Sequence, residues 1–406
     1  MNLPLSSVRV LDLSRALAGP YCTALLADMG ADVVKVESIR GGDSARQWPP
    51  FEEEHSLYFD STNRNKRSIA LDLYSAEAKD LLQRLVASSD VLVENFRPGT
   101  LAKMGLPEEK IRALNPDIVV ASISGFGDVG PLRNMAGLDQ VIQGMSGLTS
   151  VTGPDRDHTY RTGVSIIDIT TGMINAFNVV TALLGQRFGS PVGRMSTSLL
   201  ETGLALSVFQ GQRALSLGAD PEPQGNDHPT ITPYGVFDTG SVPITLAVAN
   251  NKAWARFSAL IGSPDLAADD RFSNGQLRSE NRHALKPLIE EQLIRRSAEA
   301  WVEDIRALGI PCGPIYTYSE AFATDQVAAL NMVHKVQRFD GSALPLLRGP
   351  ITVDGEPAPV RMPPPALGEH TFEILQEIGL SDDEIEALEN KGLVHAPAAG
   401  RLVERK

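Results

Sequence analysis

Val8-Arg9-Val10-Leu11-Asp12-Leu13 is the first strongly patterned stretch of the chain, and it reads as a β-strand. Pro20 to Met29 then reads as a helix that stops at Gly30, and the valine-rich Asp32 to Val36 reads as a second strand. Branched apolar residues favour strands, and a glycine just past the last helical turn can adopt the left-handed conformation that ends a helix. The alternation continues with Ser68 to Leu73 (strand), Ser75 to Ser88 (helix), Val91 to Glu94 (strand), Pro107 to Leu114 (helix) and Ile118 to Ser124 (strand). Strands separated by helix-length segments imply βαβ units, a parallel sheet and right-handed crossovers. The fold class is therefore α/β.

Beyond this block, Asp168 to Leu184 is apolar on all sides and reads as a buried core helix. A Gly/Pro loop at Arg187 to Gly193 precedes a further helix, Ser196 to Leu217. Gly218 to Pro229, rich in Gly, Pro, Asp and Asn, reads as a linker. A hairpin (Tyr234 to Phe237 with Ile244 to Val248) and helices near Lys252 to Ile261, Asn281 to Arg295 and Ala298 to Leu308 suggest a smaller α+β unit. Pro311-Cys312-Gly313-Pro314 reads as the turn that ends it. A proline-rich stretch (Pro357 to Pro365), a helix at Thr371 to Ile378 and a capping box at Ser381 to Glu384 follow. Residues 396–406 lack a periodic apolar face and are expected to fray.

The chain has 406 residues, 42% of them apolar and 21% charged, a folded composition. At roughly 150 residues per domain its length suggests two or three domains. With 37 Lys and Arg against 50 Asp and Glu, its net charge of −13 argues against nucleic-acid partners. Its two cysteines, Cys22 and Cys312, suggest neither a disulfide framework nor a cysteine metal site, and fit a reducing cytoplasmic setting. No secretory signal is visible, and the most apolar segment, Ile174 to Gly185, is shorter than the ~20 residues of a membrane span. No histidine spacing suggests a metal.

Several motifs carry more than one reading. Gly125-Phe126-Gly127-Asp128-Val129-Gly130 matches a dinucleotide fingerprint after a strand, but Pro131 and Asn134 follow where a helix should start. A plain glycine-rich loop at the strand's carboxyl end is the second reading, and glycines that keep the loop compact beside a ligand are the third. Asp168, set among apolar residues, reads first as a helix N-cap and second as a nucleophilic carboxylate. Lys35, Arg40, Lys66, Arg67, Arg97 and Lys103 fall near strand ends and as a group suit the phosphates of a nucleotide-like ligand.

Read in order, a string of blocks resembles one family. They are Val10-Leu11-Asp12-Leu13, Ala18-Gly19-Pro20, Leu26 to Glu37, Gly41-Gly42-Asp43, Asn63 to Ile69 and Val93 to Gly99. Met104-Gly105-Leu106, Gly125-Phe126-Gly127, Gly137-Leu138-Asp139 and Leu367 to Thr371 complete it. The chain resembles the class III coenzyme A transferases, the CaiB/BaiF family that includes formyl-CoA transferase and carnitine CoA-transferase. The resemblance implies a large Rossmann-like domain built from both termini, a small central domain, and an interlocked homodimer. The expected boundaries are residues 1–217 and 326–406 for the large domain and 218–325 for linker and small domain.

In that family an aspartate attacks the acyl-CoA thioester, and Asp168 stands at its position, which reverses the preference for a plain cap. The implied CoA contacts are Leu17, Ala18, Arg40, Leu71, Asp72, Leu73, Tyr74, Asn95, Phe96, Arg97, Lys103, Met104, Gly137 and Asp139. Leu17 replaces the glutamine of formyl-CoA transferase, which counts against an oxalate- or formate-type substrate. Ser38 replaces an arginine common in the family, leaving Arg40 for the adenosine phosphate. Lys103 replaces another and lacks its forked geometry. The mobile glycine loop corresponds to Ala249 to Lys252, which is not glycine-rich.

The members most resembled use succinyl-CoA with dicarboxylate acceptors, and Arg46 is a candidate for a distal carboxylate. CoA is thus expected as a substrate, with no tightly bound cofactor, metal, nucleic acid or membrane. A related α-methylacyl-CoA racemase activity is the alternative, although Leu138 stands where racemases carry a histidine base. A dinucleotide-dependent oxidoreductase using Gly125 to Gly130 and a catalytically dead CoA-binding protein are further readings.

Overall fold

The computed structural model describes residues 2–397, so most of the segment expected to fray lies outside the described residues. The chain divides into two compact units. The first holds residues 1–148, 162–211 and 330–406, and the second holds 149–161 and 212–329.

The first unit is built on six parallel strands: β1 (Arg9–Asp12), β2 (Asp32–Ser38), β3 (Lys66–Leu71), β4 (Val91–Glu94), β5 (Val119–Ser124) and β6 (Arg194–Ser198). Their spatial order is β3-β2-β1-β4-β5-β6, and a short antiparallel strand, Val394–His395, adds to the β3 edge. β1 pairs with β2 on one side, Val10 opposite Val33, and with β4 on the other, Val10 opposite Val91. Strand order therefore reverses between β1 and β4, and ligands of open α/β sheets bind at the carboxyl ends beside such a switch point. The Val, Leu and Ile side chains of β1 to β5 are buried on both faces, as a parallel sheet covered on both sides requires. The chain's C-terminal part joins this core through Ile374 and Leu375 of the helix Thr371–Glu377.

α1 (Ala18–Asp28) follows β1, α2 (Asp139–Met145) follows the long loop after β5, and α3 (Ile166–Arg187) packs along α1. The contact is close because Gly172 of α3 has no side chain; a Cβ there would stand 2.6 Å from the Ala18 carbonyl oxygen. Two expectations about α3 are corrected. It is 22 residues, long and apolar enough by length and composition to cross a membrane. It is also not buried all round: Ile167, Thr171, Asn175, Ala176 and Val179 face the core, whereas Met173, Phe177, Val180 and Leu184 are exposed. The expected helix Ser196 to Leu217 is corrected too, because its start is the edge strand β6 and the rest is broken into Leu199–Ala205 and Val208–Leu217. The Arg-Met-Ser-Thr-Ser sequence has no strong strand signature, and pairing with β5 through Met195 opposite Ala121 decides its conformation.

The second unit is a small α+β body. Tyr234–Phe237 and Ile244–Ala247 form the expected hairpin, with Ile244 opposite Phe237. Cys312–Pro314, expected to be only a turn, pairs as a third strand beside Ile244–Ala247. Trp254, Phe257, Leu285, Ile289, Trp301 and Ile305 from three helices fill its core. In the Ala249 to Lys252 segment, Asn250 is the N-cap of Asn251–Leu260, its side chain accepting from the Ala253 amide at 2.9 Å.

Candidate active site

A cavity of about 240 Å³ opens in the first unit beside the switch point. Leu17, Ala18, Asn95, Phe96, Arg97, Gly137 and Asp168 line it, so seven of the residues expected in the site are brought together from segments far apart in sequence. An adjacent cleft is bordered by Leu73, Tyr74, Phe96 and Met104.

The loop between β1 and α1 forms one wall and is held from every side. Asp12 accepts from the Ser14 amide at 2.9 Å, and buried Lys35 donates to the Ser14 carbonyl at 3.0 Å. Asn95 accepts from the Arg15 amide at 2.9 Å and donates to its carbonyl at 2.7 Å. Asp43 accepts from the Ala16 amide at 3.0 Å. Ala16 itself has φ of +68°, a conformation that costs an ordinary residue about 1 kcal/mol and persists only where surrounding contacts enforce it.

The opposite wall depends on two glycines. A Cβ at Gly125 would lie 2.5 Å from the Gly137 amide nitrogen, so the loop after β5 touches the approach to α2 backbone to backbone. No helix begins directly after Gly130; α2 starts at Asp139. The motif therefore works as a compact wall beside the cavity rather than as a strand–turn–helix fingerprint.

Asp168 is the third residue of α3, in its first turn rather than at its N-cap, which corrects the capping reading. The N-cap position is Ser165, whose side chain makes no capping hydrogen bond. The cap comes instead from Asp139 of α2, whose Oδ2 accepts from the amides of Ile167 at 2.9 Å and Asp168 at 3.2 Å. Asp139 Oδ1 accepts from Gln143 Nε2 at 2.5 Å, and Gln143 Oε1 accepts from the Thr162 amide at 2.9 Å. Burial first, and then the charge of Asp139, push the half-buried Asp168 carboxyl up to about 7. Tyr58 stands nearby: its phenol is raised by burial and by the charge of Asp168, and Ser165 hydrogen-bonds it. The Trp48 ring meets the Tyr58 ring edge-on at 5.0 Å. No spacing or motif in the sequence pointed to Tyr58, because it reaches the site through a short helix, Leu57–Thr62, remote in the chain.

Other expected residues fall elsewhere. The Leu71 side chain is fully buried in the core, and the Asp139 carboxylate is occupied by the α3 cap. Arg40 is 78% exposed at its side chain and 3.8 Å from Asp72; Lys103 is also exposed. Of the basic group suggested for phosphates, Lys35, Lys66 and Arg67 are structural. Lys66 Nζ is fully buried against Asp12 at 3.1 Å and the Asn63 Oδ1 at 2.9 Å; Lys35 pairs with Asp43 at 2.9 Å. Burial lowers Lys66 to about 8, while Asp12, against the opposing effect of burial, is held at about 2 by Lys66 and Lys35. Arg67 is bound by Asp32, Glu373 and Glu377. Arg46 is likewise engaged, clamping Glu37 through two contacts of 2.7 Å, so its carboxylate-binding assignment is corrected. Among the described residues, no group of three or more His, Cys, Asp or Glu side chains is placed to hold a metal.

Residues 5–371 match the family described as CoA-transferase family III. A succinate–glutarate CoA-transferase of Agrobacterium fabrum is 36% identical over 382 residues, covering 92% of this chain and 96% of that protein. A human succinyl-CoA:glutarate CoA-transferase is 33% identical, covering 94% of this chain and 87% of that protein. A succinyl-CoA–D-citramalate CoA-transferase of Chloroflexus aurantiacus is 34% identical, covering 96% and 98%. A crystal structure of a CaiB/BaiF family protein from Brucella suis superimposes with a TM-score of 0.82 at 36% identity, covering 93% of this chain and 100% of that one. The parallel sheet with its switch-point cavity and these matches along nearly the whole chain give one conclusion: the protein belongs to CoA-transferase family III and is a CoA-transferase of that family.

Proposed function

We propose that the protein moves CoA from succinyl-CoA to a small dicarboxylic acid, with Asp168 as the nucleophile. The single observation that carries the mechanism is the half-buried Asp168 carboxylate in the wall of the switch-point cavity, which Leu17 and Ala18 also line. The substrate class follows the relatives named for succinyl-CoA, glutarate and D-citramalate. An Asp168 oxygen attacks the thioester carbonyl carbon, the C–S bond breaks, and CoA leaves as the thiolate with a mixed anhydride on Asp168. The thiolate attacks the aspartyl carbonyl carbon, the anhydride C–O bond breaks, and the donor acid leaves as a carboxylate. The aspartyl-CoA thioester then reacts with the acceptor carboxylate by the same two steps in reverse, which regenerates the Asp168 carboxylate. No proton need be transferred at any step, since carboxylate and thiolate exchange one charge.

Leu17, Ala18, Asn95, Phe96, Arg97 and Gly137 border the thioester in this reading; Leu73, Tyr74 and Met104 border the adenosine end, and Arg40 and Lys103 reach its phosphates from the surface. Backbone of Asp72 and of the Leu71 turn completes that edge. The racemase alternative loses ground because Leu138 offers no base. We also read the protein as an interlocked homodimer: the exposed apolar face of α3, with Met173, Phe177 and Leu184, is what a partner chain would cover. A cytoplasmic setting accords with two unpaired cysteines.

The test is to incubate the protein with succinyl-CoA, add hydroxylamine, and map the modified peptide by mass spectrometry. Modification of Asp168 is expected. An unmodified Asp168 in an enzyme that turns over overturns the mechanism.

A further inference from the structure

The Asp139 carboxylate occupies an unusual place for an anion beside a nucleophilic carboxylate. A helix N-terminus ordinarily stabilises a negative first-turn side chain, because its free amides and dipole point at the charge. At α3 two of those amides, Ile167 and Asp168, are already taken by Asp139 Oδ2. Asp139 is 9% exposed and cannot swing away, because Gln143 and Thr162 lock it from the other side. The Tyr58 phenol feels the charge of Asp168, and Arg15, Arg97 and Arg133 line the same cavity as Asp168.

We propose that Asp139 is a positioning residue that destabilises the free Asp168 carboxylate and thereby favours its acylated forms. The inference rests on the reading of Asp168 as nucleophile. When an Asp168 oxygen bonds to the thioester carbon and the C–S bond breaks, the negative charge moves to the CoA sulfur. Acylated Asp168 is neutral, so its repulsion with Asp139 disappears in the anhydride and in the aspartyl thioester alike. An interaction present in the free enzyme and absent in the intermediate lowers the barrier between them. Burial first, and then this same repulsion from Asp139, raise the affinity of Asp168 for a proton.

The test compares wild type with Asp139→Asn, which keeps an oxygen for the α3 amides and removes the charge. Acylation of Asp168 by succinyl-CoA is followed in a single turnover across pH 5 to 9 by hydroxylamine trapping. In wild type the trapping rate is expected to rise with pH through a midpoint near 7. In D139N the midpoint is expected to fall by about one pH unit. The plateau rate is expected to fall about tenfold, and the fraction of enzyme held as aspartyl-CoA to fall with it. The double variant D139N/Q143E keeps the hydrogen-bond chain through Thr162 while moving the charge away from Asp168, and the same downward shift is expected in it. A midpoint unmoved in whichever variant folds overturns the inference and leaves Asp139 a helix cap only. A wild-type midpoint near 4, the ordinary carboxylate range, overturns it whether or not these variants fold; if neither folds, Asp139→Ser, a smaller uncharged acceptor for the same amides, takes their place and must show the same downward shift. A wild type unlabelled at Asp168 overturns the nucleophile reading itself, a result distinct from all of these.

Discussion

The side-chain amide of Asn95 closes on both backbone groups of Arg15, accepting from its N–H at 2.9 Å and donating to its C=O at 2.7 Å. This pair ties the carboxyl end of β4 to the loop after β1, across the point where strand order reverses. With Asp43 on the next residue, it holds Ala16 at positive φ and fixes a wall of the cavity that Asp168 also lines. Asn95→Ala is expected to lower kcat/KM for succinyl-CoA by about 10- to 100-fold, because an ångström of loop displacement is costly in a reacting geometry. Steady-state kinetics with circular dichroism checks it; full activity refutes the bracing role.

Asp168→Asn is expected to abolish transfer while CoA still binds, and also to stabilise the fold at neutral pH. The folded-state carboxyl titrates near 7, above its unfolded range, so the folded protein holds its proton more tightly. That relation favours folding only at low pH and turns into a cost as pH rises from about 4 to 7. The amide escapes this cost, so the variant should gain on the order of 1–3 kcal/mol at pH 8 and nothing at pH 4. Denaturant titrations at the two pH values decide it; an equal difference at both contradicts the linkage.

Gly125→Ala places a methyl group where the Gly137 amide nitrogen would be 2.5 Å away. One loop has to move, so a destabilisation of about 1–3 kcal/mol and an acyl-CoA KM raised about tenfold are expected. Gly130→Ala is the control for loss of a glycine, since nothing lies within 4 Å of its Cβ position although its φ is +85°. It should affect stability with little change in KM.

Asp12 is the hub of buried charge under the β1 loop, meeting Lys66, Ser14 and Thr23. Asp12→Ala strands the Lys66 ammonium in the core, and a loss of about 3–5 kcal/mol is expected. A chemical-denaturation midpoint unchanged from wild type would contradict this account of the ion network.

Phe177 projects from α3 with 69% of its surface exposed, amid Met173, Val180 and Leu184. If the proposed homodimer forms through this face, Phe177→Glu shifts the sedimentation-velocity profile from dimer toward monomer. Retention of the wild-type sedimentation profile would argue against a partner on this face.

The alternation of strand and helix through Ser124 was legible in the sequence because period and length are local properties. So were the hairpin at Tyr234, the capping box at Ser381 and the family resemblance itself. β6 was not, since a polar pentapeptide becomes a strand only when β5 offers it a ladder. The exposed side of α3 was not either, because an all-apolar helix looks alike whether its second face meets its own chain or another.

The sequence by itself determined the parallel α/β architecture and picked out Asp168, since hydrophobic periodicity and an ordered set of short blocks are properties of the chain read along its length. The tertiary structure decided which charges are free and which are bound. Lys35, Lys66 and Arg67 resembled part of a phosphate-binding set in sequence, and Arg46 a carboxylate-binding residue, but each meets an acidic partner in the folded chain. It also decided that the cap on α3 comes from Asp139 rather than from Asp168. Charge pairing depends on distance in space, and residues 29 positions apart in the chain reach hydrogen-bonding distance only after the helices have packed.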